Sequence, residues 1–355
     1  MAKVEIPSFA EIQSYADVMK RIKNRQSHLL LGNGFSMSYD SRIFSYNALS
    51  QFLDKLDNDV LQKLFQIVKT SNFELMMQQL ENVAQIAGVF GADKKVVDKI
   101  RQAATTLKVS LIDAIKELHP EHVFEIPDEK SKACATVLHS FLSNEGHIFT
   151  TNYDLLLYWV LMRNEIENAI DGFGRDAEET DEWVASDDRD YSELRWGKYK
   201  GIQTVHYLHG ALQLFDTGID VIKEEYTGEH LLLQNIKDRM AKKEYPIFVT
   251  AGNGYEKLTH IVHNKYLSYC YEALSTINGS IVVFGFGFGE YDEHIIAAIN
   301  KASKKRMDKA GNWLMLKSIY IGVFSEKGLE HIKSIQNKFN CPIRVFDAKT
   351  LKLWG

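Results

Sequence analysis

The stretch Gly146-His147-Ile148-Phe149-Thr150-Thr151-Asn152-Tyr153-Asp154, continuing into Leu155-Leu156-Leu157-Tyr158-Trp159, decides the reading of this chain. Ile148 to Thr150 are apolar or β-branched and suit a short buried strand. A tight polar cluster follows, and an apolar helical run begins at once. A strand that ends in polar residues at a helix start is how a parallel sheet presents its loops to a ligand. Asn152 and Asp154 occupy that point. Each also has a purely structural use: Thr151 or Asn152 suits a helix cap, and the helix dipole favours a carboxylate such as Asp154.

Three other strand ends carry comparable chemistry. His28-Leu29-Leu30-Leu31 reads as a buried strand and runs into Gly32-Asn33-Gly34-Phe35-Ser36. Glycines after a buried strand allow a sharp turn and a close backbone approach to a phosphate. The pattern is G-x-G only, without the third glycine of the dinucleotide fingerprint. Val205-His206-Tyr207-Leu208 is a strand ending at His209-Gly210-Ala211. Ile281-Val282-Val283-Phe284 is the most strand-like run in the chain and ends in Gly285-Phe286-Gly287-Phe288-Gly289.

Between these runs the pattern is largely helical. From residue 46 to 143 turn signals are scarce. Apolar residues recur at helical spacing as Leu49, Phe52, Leu53 and Leu56, as Leu75, Leu80, Val83 and Ile86, and as Ala104, Leu107, Leu111 and Ile115. This predicts a helical insertion subdomain over 46–143 within a single domain spanning 1–355. Residues 8–26 read as one helix. Ile247 to Thr250 reads as a further strand, and Leu258, Val262, Tyr266, Tyr269, Ala273 and Ile277 as the stripe of one helix. Residues 176–190 hold eight acidic residues and one Arg and read as a solvated loop. Ser318–Phe324 reads as a strand and Pro342–Phe346 as an edge strand. Buried strands alternating with helices predict an α/β fold: a Rossmann-like parallel sheet covered by helices on both faces.

Composition narrows the function classes. The chain has 355 residues, 45% hydrophobic and 25% charged, with a net charge of −5. That balance gives no global reason to expect direct nucleic-acid binding. Lys304-Lys305-Arg306 reads as a solvated helix end. No apolar run approaches the roughly 18 residues that span a membrane, and the N-terminal MAKVEIPSF lacks a signal-peptide core. Cys134, Cys270 and Cys341 lie far apart, so neither a zinc ribbon nor a disulfide scaffold is expected. A cytoplasmic, metal-free protein is the expectation.

In an open parallel sheet the four strand ends converge on one crevice. Two glycine turns suit a ligand with a pyrophosphate, and an Asn, an Asp and a His suit polar work on a sugar. The order G-N-G-F-S, T-T-N-Y-D, Y-L-H-G, V-F-G-F-G resembles sirtuin-like NAD-binding domains, over about residues 28–300. The resemblance implies a phosphate-binding loop at Gly32, Asn33, Gly34, Phe35 and Ser36, and a nicotinamide-ribose site at Thr151, Asn152 and Asp154. It further implies an active-site His209 and an adenosine side at Gly285, Phe286 and Gly287. The chain departs from protein deacylases. Tyr39-Asp40-Ser41-Arg42-Ile43-Phe44 does not match their G-I-P-x-F-R loop, Thr151 replaces a Gln, and four zinc cysteines are absent. The helical gap and the D-E-H-I-I run after the last glycines look more like the bacterial antiphage branch. That branch hydrolyses NAD, and some members work with a HerA-type ATPase.

The implied reaction is NAD+ glycohydrolysis to nicotinamide and ADP-ribose, depleting NAD in abortive infection. Breaking the nicotinamide–ribose bond builds oxocarbenium character on the ribose. The leaving group is already cationic and needs no strong acid. Asn152 would orient water or a ribose hydroxyl, Asp154 would bind ribose hydroxyls or favour the positive charge, and His209 would accept a proton. Such an activity implies control by homo-oligomerisation or by a partner. The rival expectation is a non-enzymatic module that senses NAD or a related nucleotide, or acts as the scaffold of a defence complex. A hydride-transfer dehydrogenase fits less well, since the third fingerprint glycine is missing.

Overall fold

The computed structural model describes residues 5–41, 59–68, 73–120, 122–175, 193–225, 231–242, 244–249 and 253–355. Leu49 to Leu56 and the acidic segment 176–190 lie outside the described residues.

The chain opens with β1 (Gln13–Ser14), α1 (Tyr15–Ile22), β2 (Ser27–Leu31) and α2 (Asn33–Tyr39). Helices α3 (Asp59–Val68), α4 (Phe73–Val89), α5 (Lys94–Leu118) and α6 (Asp128–Leu142) follow, then β3 (Ile148–Thr150) and α7 (Leu156–Arg163). Next come β4 (Phe173–Gly174), β5 (Leu194–Trp196), β6 (Val205–Tyr207), β7 (Gly210–Asp216), β8 (Val221–Lys223), α8 (Leu232–Ala241) and β9 (Pro246–Phe248). The last part holds α9 (Gly254–His263), α10 (Lys265–Ser275), β10 (Gly279–Phe284), α11 (Glu293–Ala302), β11 (Arg306–Met307), β12 (Trp313–Leu314), β13 (Leu316–Val323), α12 (Glu326–Ile335) and β14 (Ile343–Asp347).

Seven strands form one sheet in the order β1-β14-β13-β10-β2-β3-β6, and every pairing in it is parallel. Without the short β1, this is the doubly wound 3-2-1-4-5-6 order of a Rossmann-like fold, with the reversal between β2 and β10. The sheet is buried on both faces: every residue of β2, β3, β6 and β10 is buried. This explains why these strands read as continuous apolar runs rather than as alternating ones. β14 is not the edge the sequence suggests, because Gln13 and Ser14 pair outside it with Phe346 and Asp347. That pairing also breaks the helix expected over 8–26. Ser14 leaves the strand and caps α1 by accepting from the amide of Asp17.

A second, five-stranded antiparallel sheet, in the order β4-β5-β8-β7-β9, fills the crossover between β6 and β10. The strand expected near Ile247 belongs here, paired antiparallel with β7. Gly210 makes the transfer from one sheet to the other, with φ of 83°; a Cβ there would lie 1.9 Å from the carbonyl oxygen of Ile247.

The described helices of the expected 46–143 insertion divide between two cores. Leu61, Met76, Leu80 and Leu107, from α3 to α5, pack as a separate small core. Helix α6, inside the expected 46–143 span, belongs to the main core through Cys134, Leu138, Phe141 and Leu142. Val83 and Ile86 are exposed rather than part of that small core. The long stripe expected over 258–277 is two helices. Asn264 ends α9 and caps α10 through the Leu267 amide, and Val262 faces outward. Among the described residues, no helix is long and apolar enough to cross a membrane.

Candidate functional site

The register of the main sheet brings the four motifs to one level. Phe284 pairs with Leu31, Leu31 with Thr150, and Thr150 with Tyr207. The residues that follow, Gly285, Gly32, Thr151 and Leu208, therefore emerge side by side at the carboxyl edge. At about 4.8 Å per strand they span roughly 14 Å, centred on the switch point.

At the centre the two glycine turns close on each other. The Gly32 amide donates to Phe284 O at 3.0 Å, the Gly34 amide to Gly285 O at 2.9 Å, and the Phe35 amide to Gly32 O at 2.8 Å. A Cβ on Gly34 would sit 2.5 Å from the Cα of Gly285, and Gly285 has φ of 71°. The glycines are required for this chain-to-chain contact. The amides of Gly32, Gly34 and Phe35 are thus paired within the fold. Phe286 packs edge-to-face on Phe288 at 4.9 Å, and Phe288 continues onto Phe339. The carbonyls of Gly287 and Phe288 lie 3.0 and 3.2 Å from His331 Nε2.

Beside the glycines a buried polar relay links α2 to the loop after β3. Ser36 Oγ donates to Asp154 Oδ2 at 2.5 Å, and Asn152 Nδ2 donates to Ser36 Oγ at 2.9 Å. Asp154 Oδ1 accepts from the Leu156 amide at 3.0 Å, so Asp154 also caps α7. All three side chains are buried. The order fixes the amide of Asn152. Ser36 has one proton and gives it to Asp154, so it can only accept from Asn152. Among the described residues Asn152 Oδ1 has no hydrogen-bond partner, which leaves it as an acceptor of set orientation. Asp154 accepts one hydrogen bond on each oxygen and so anchors the relay. Burial raises its pKa above the ordinary carboxylate value, against the pull of the Ser36 and Leu156 hydrogen bonds. Thr151 is held by its amide to Leu31 O at 3.0 Å, and Thr150 Oγ1 accepts the Asn152 amide at 3.0 Å.

His209 lies where the two sheets part. Its carbonyl accepts from the Val249 amide at 3.0 Å, and its ring stacks with Tyr153 at 6.3 Å. Tyr153 in turn donates its hydroxyl to Val249 O at 2.8 Å. The Nε2 atoms of His209 and His294 are 2.8 Å apart. Lys257, almost fully buried, lies 3.6 Å from Asp292, the residue at the start of α11. Burial, followed by the neighbouring imidazole and the Lys257 ammonium, holds His209 well below its ordinary pKa.

Three contributors were not legible as site residues. His294 and Lys257 reach His209 only through tertiary packing. His119 accepts the Leu155 amide on Nε2 at 3.0 Å, completing the cap of α7. The D-E-H-I-I run was the one available signal, since it carries His294 one turn after the last glycine. Among the described residues, no cluster of three or more His, Cys, Asp or Glu is placed to hold a metal ion.

Fold and site together define a doubly wound α/β domain whose strand ends carry buried polar side chains, Ser36, Asn152 and Asp154 beside the switch point and His209 beyond the edge strand β6. The chain belongs to the family described as a domain of unknown function, DUF4917, which matches residues 29–354. No curated protein matches it.

Proposed function

We propose that this protein is an NAD+ glycohydrolase that cleaves the nicotinamide–ribose bond to give nicotinamide and ADP-ribose. The observation that carries the reading is the relay Asp154–Ser36–Asn152, which fixes the Asn152 amide and leaves its oxygen without a partner among the described residues. The reaction needs a water or ribose hydroxyl held by an acceptor while positive charge develops on the sugar. Asn152 Oδ1 is such an acceptor, and it is preorganised because no side chain must move to present it. His209 accepts the proton that the attacking water releases. Gly32, Gly34 and Gly285 let the two turns close on each other beside this relay.

The resemblance to antiphage sirtuin-like domains supports a role in NAD depletion during infection. Unchecked NAD cleavage would harm the cell, so activity is controlled through self-assembly or through a partner such as a HerA-type ATPase. The test is incubation of the purified protein with NAD+, alone and with the product of the neighbouring gene. Stoichiometric nicotinamide and ADP-ribose are the expected products. Tight NAD+ binding without nicotinamide release under either condition would instead make the protein a nucleotide sensor or scaffold.

A further inference from the structure

The loops at the amino ends of the strands, opposite the site, carry a different chemistry. Residues 20–25 include Lys20, Arg21, Lys23 and Arg25 and no acid, and residues 303–317 hold five basic residues and one acid, Asp308. The sheet brings the two segments together. Ser27 pairs with Ser280 and Ser280 with Ser318, and the Gly279 amide donates to Met315 O at 3.1 Å. The segments thus flank the start of β10, roughly 10 Å apart. Lys23, Arg25, Lys304, Lys305, Lys309 and Lys317 are exposed, and among the described residues none of them has an acidic partner within 4 Å. Acids at this end are few. Glu272 is engaged by Lys301 at 2.6 Å, and Asp17 lies 3.9 Å from Lys20. Glu145, in the loop before β3, is the exposed exception.

The hairpin β11–β12 adds an aromatic side chain to this basic edge. Arg306 pairs with Leu314 and Met307 with Trp313, so the two pairs face opposite ways. Arg306 turns inward and donates to the carbonyls of Thr276, Ile277 and Ala302, which anchors the hairpin to the ends of α10 and α11. Met307 and Trp313 are left outward, 57% and 66% exposed. The Asp308 carboxylate is engaged by its own turn: Oδ1 accepts the amides of Ala310 and Asn312, and Oδ2 accepts from the Asn312 side chain. The turn is held in place and the lysines around it stand unopposed. A charge run that serves only solubility does not require an exposed tryptophan fixed among the cations.

We propose that this amino-edge face binds single-stranded nucleic acid, with the lysines on the phosphates and Trp313 stacked on a base. Such a strand is recognised by cations that follow its backbone and by an exposed aromatic, since every nucleotide carries a charge and every base a π face. The net charge of −5 is no obstacle. Attraction at contact follows the local cations, within a Debye length of about 8 Å. A membrane surface suits the face less well, because one tryptophan and one methionine offer little apolar area to insert. The proposal does not depend on the glycohydrolase reading: the face lies at the opposite end of the strands from Asn152 and His209.

The experiment titrates the full chain into a fluorescein-labelled single strand of about 12 nucleotides and follows anisotropy at about 50 and about 150 mM salt. The wild type should bind, and its affinity should fall as salt rises. Lys304→Glu with Lys305→Glu should weaken binding about 10-fold or more and make the salt dependence shallower. Lys23→Glu with Arg25→Glu repeats that test on the other segment. Trp313→Ala should weaken binding about 10-fold and leave the salt dependence unchanged, because stacking releases no counterions. These are surface changes, and thermal melts check that each variant stays folded. Absence of wild-type binding, or wild-type affinity in the charge and tryptophan variants, would overturn the proposal. So would phosphatidylserine vesicles that bind the wild type more tightly than the strand does and lose it in the same variants, which would make the face a lipid site.

Discussion

Ser36 and Asp154, 118 residues apart in the chain, are joined by a buried hydrogen bond of 2.5 Å in which the serine hydroxyl is the donor. That direction is passed to Asn152. It predicts an unusual outcome for Asp154→Asn, which keeps size and removes charge. The new amide would use its oxygen for Leu156 and offer its NH2 to Ser36. Ser36 would then donate to Asn152, and the Asn152 amide would have to turn over, presenting NH2 instead of oxygen. Nicotinamide release should fall about 100-fold, and thermal stability only slightly. Ser36→Ala should instead cost stability, about 1–3 kcal/mol, because it leaves buried polar groups unpaired. Chemical denaturation and turnover assays on the two variants separate these effects.

The contact between Gly34 and Gly285 leaves no room for a methyl group, since the added carbon at Gly34 would stand 2.5 Å from the neighbouring Cα. Both neighbours are backbone, so neither can swing aside. Gly34→Ala should destabilise by about 1–3 kcal/mol or more through overpacking. Gly285→Ala should cost more, because its φ of 71° adds left-handed strain to the same clash. Gly287→Ala is the control: its added carbon meets nothing within 4 Å. Urea midpoints should fall from Gly287→Ala through Gly34→Ala to Gly285→Ala.

The C-terminal segment braces the same helix. Trp354 donates its indole N–H to Phe35 O at 3.1 Å and packs its ring 5.0 Å from both Phe35 and Tyr39. Phe35 precedes Ser36, so loosening Trp354 should disturb the relay. Trp354→Ala should cost about 3–5 kcal/mol, and should lower turnover even in molecules that remain folded. Unchanged activity per folded molecule would show that α2 holds its place without this brace.

Buried histidines make the fold acid-sensitive. His28, His119, His206, His209 and His294 are all buried, and burial pushes each below its ordinary pKa, to about 4 for His119 and about 3 for His28 and His294. Their folded-state values lie below the unfolded value, so the unfolded chain binds protons first as pH falls. The stability they contribute is complete above about pH 6.5 and is lost on acidification toward pH 4, at about 1.4 kcal/mol per pH unit for each fully neutral ring. Asp154 and Asp292 have raised values and act in the opposite sense, nearer the carboxylate range. Denaturation midpoints should therefore drop steeply between pH 6.5 and 5. A flat profile there would mean that these rings are not held neutral.

Much of the sheet was legible because its strands are short apolar runs ending in glycine or polar residues. His28–Leu31, Ile148–Thr150 and Ile281–Phe284 carry that signature without ambiguity. The second sheet was not, because Gly210 reads as a turn and the buried residues of β7 lack period-two alternation. Asn264 shows a related limit: an apolar stripe can run through a helix cap when the next helix continues its direction. Asn152, Asp154 and His209 could be nominated from their places at strand ends. What each does could not, since it depends on Ser36 receiving one hydrogen bond and giving another, and on His294 arriving from a distant helix. The glycines illustrate the difference between finding a residue and knowing its task. Gly32 and Gly34 read as a phosphate-binding turn, and the sequence alone does not show that they also close against Gly285 and Phe286.

The central claim is that the crevice at the β2–β10 switch point cleaves NAD+ through Asn152 and His209. The most direct measurement is nicotinamide release by wild type, Asn152→Ala and His209→Ala at matched folded concentrations, with any activating partner present. The account predicts equimolar nicotinamide and ADP-ribose from the wild type and a loss of about 100-fold or more in each variant. Equal rates in all three proteins would contradict it.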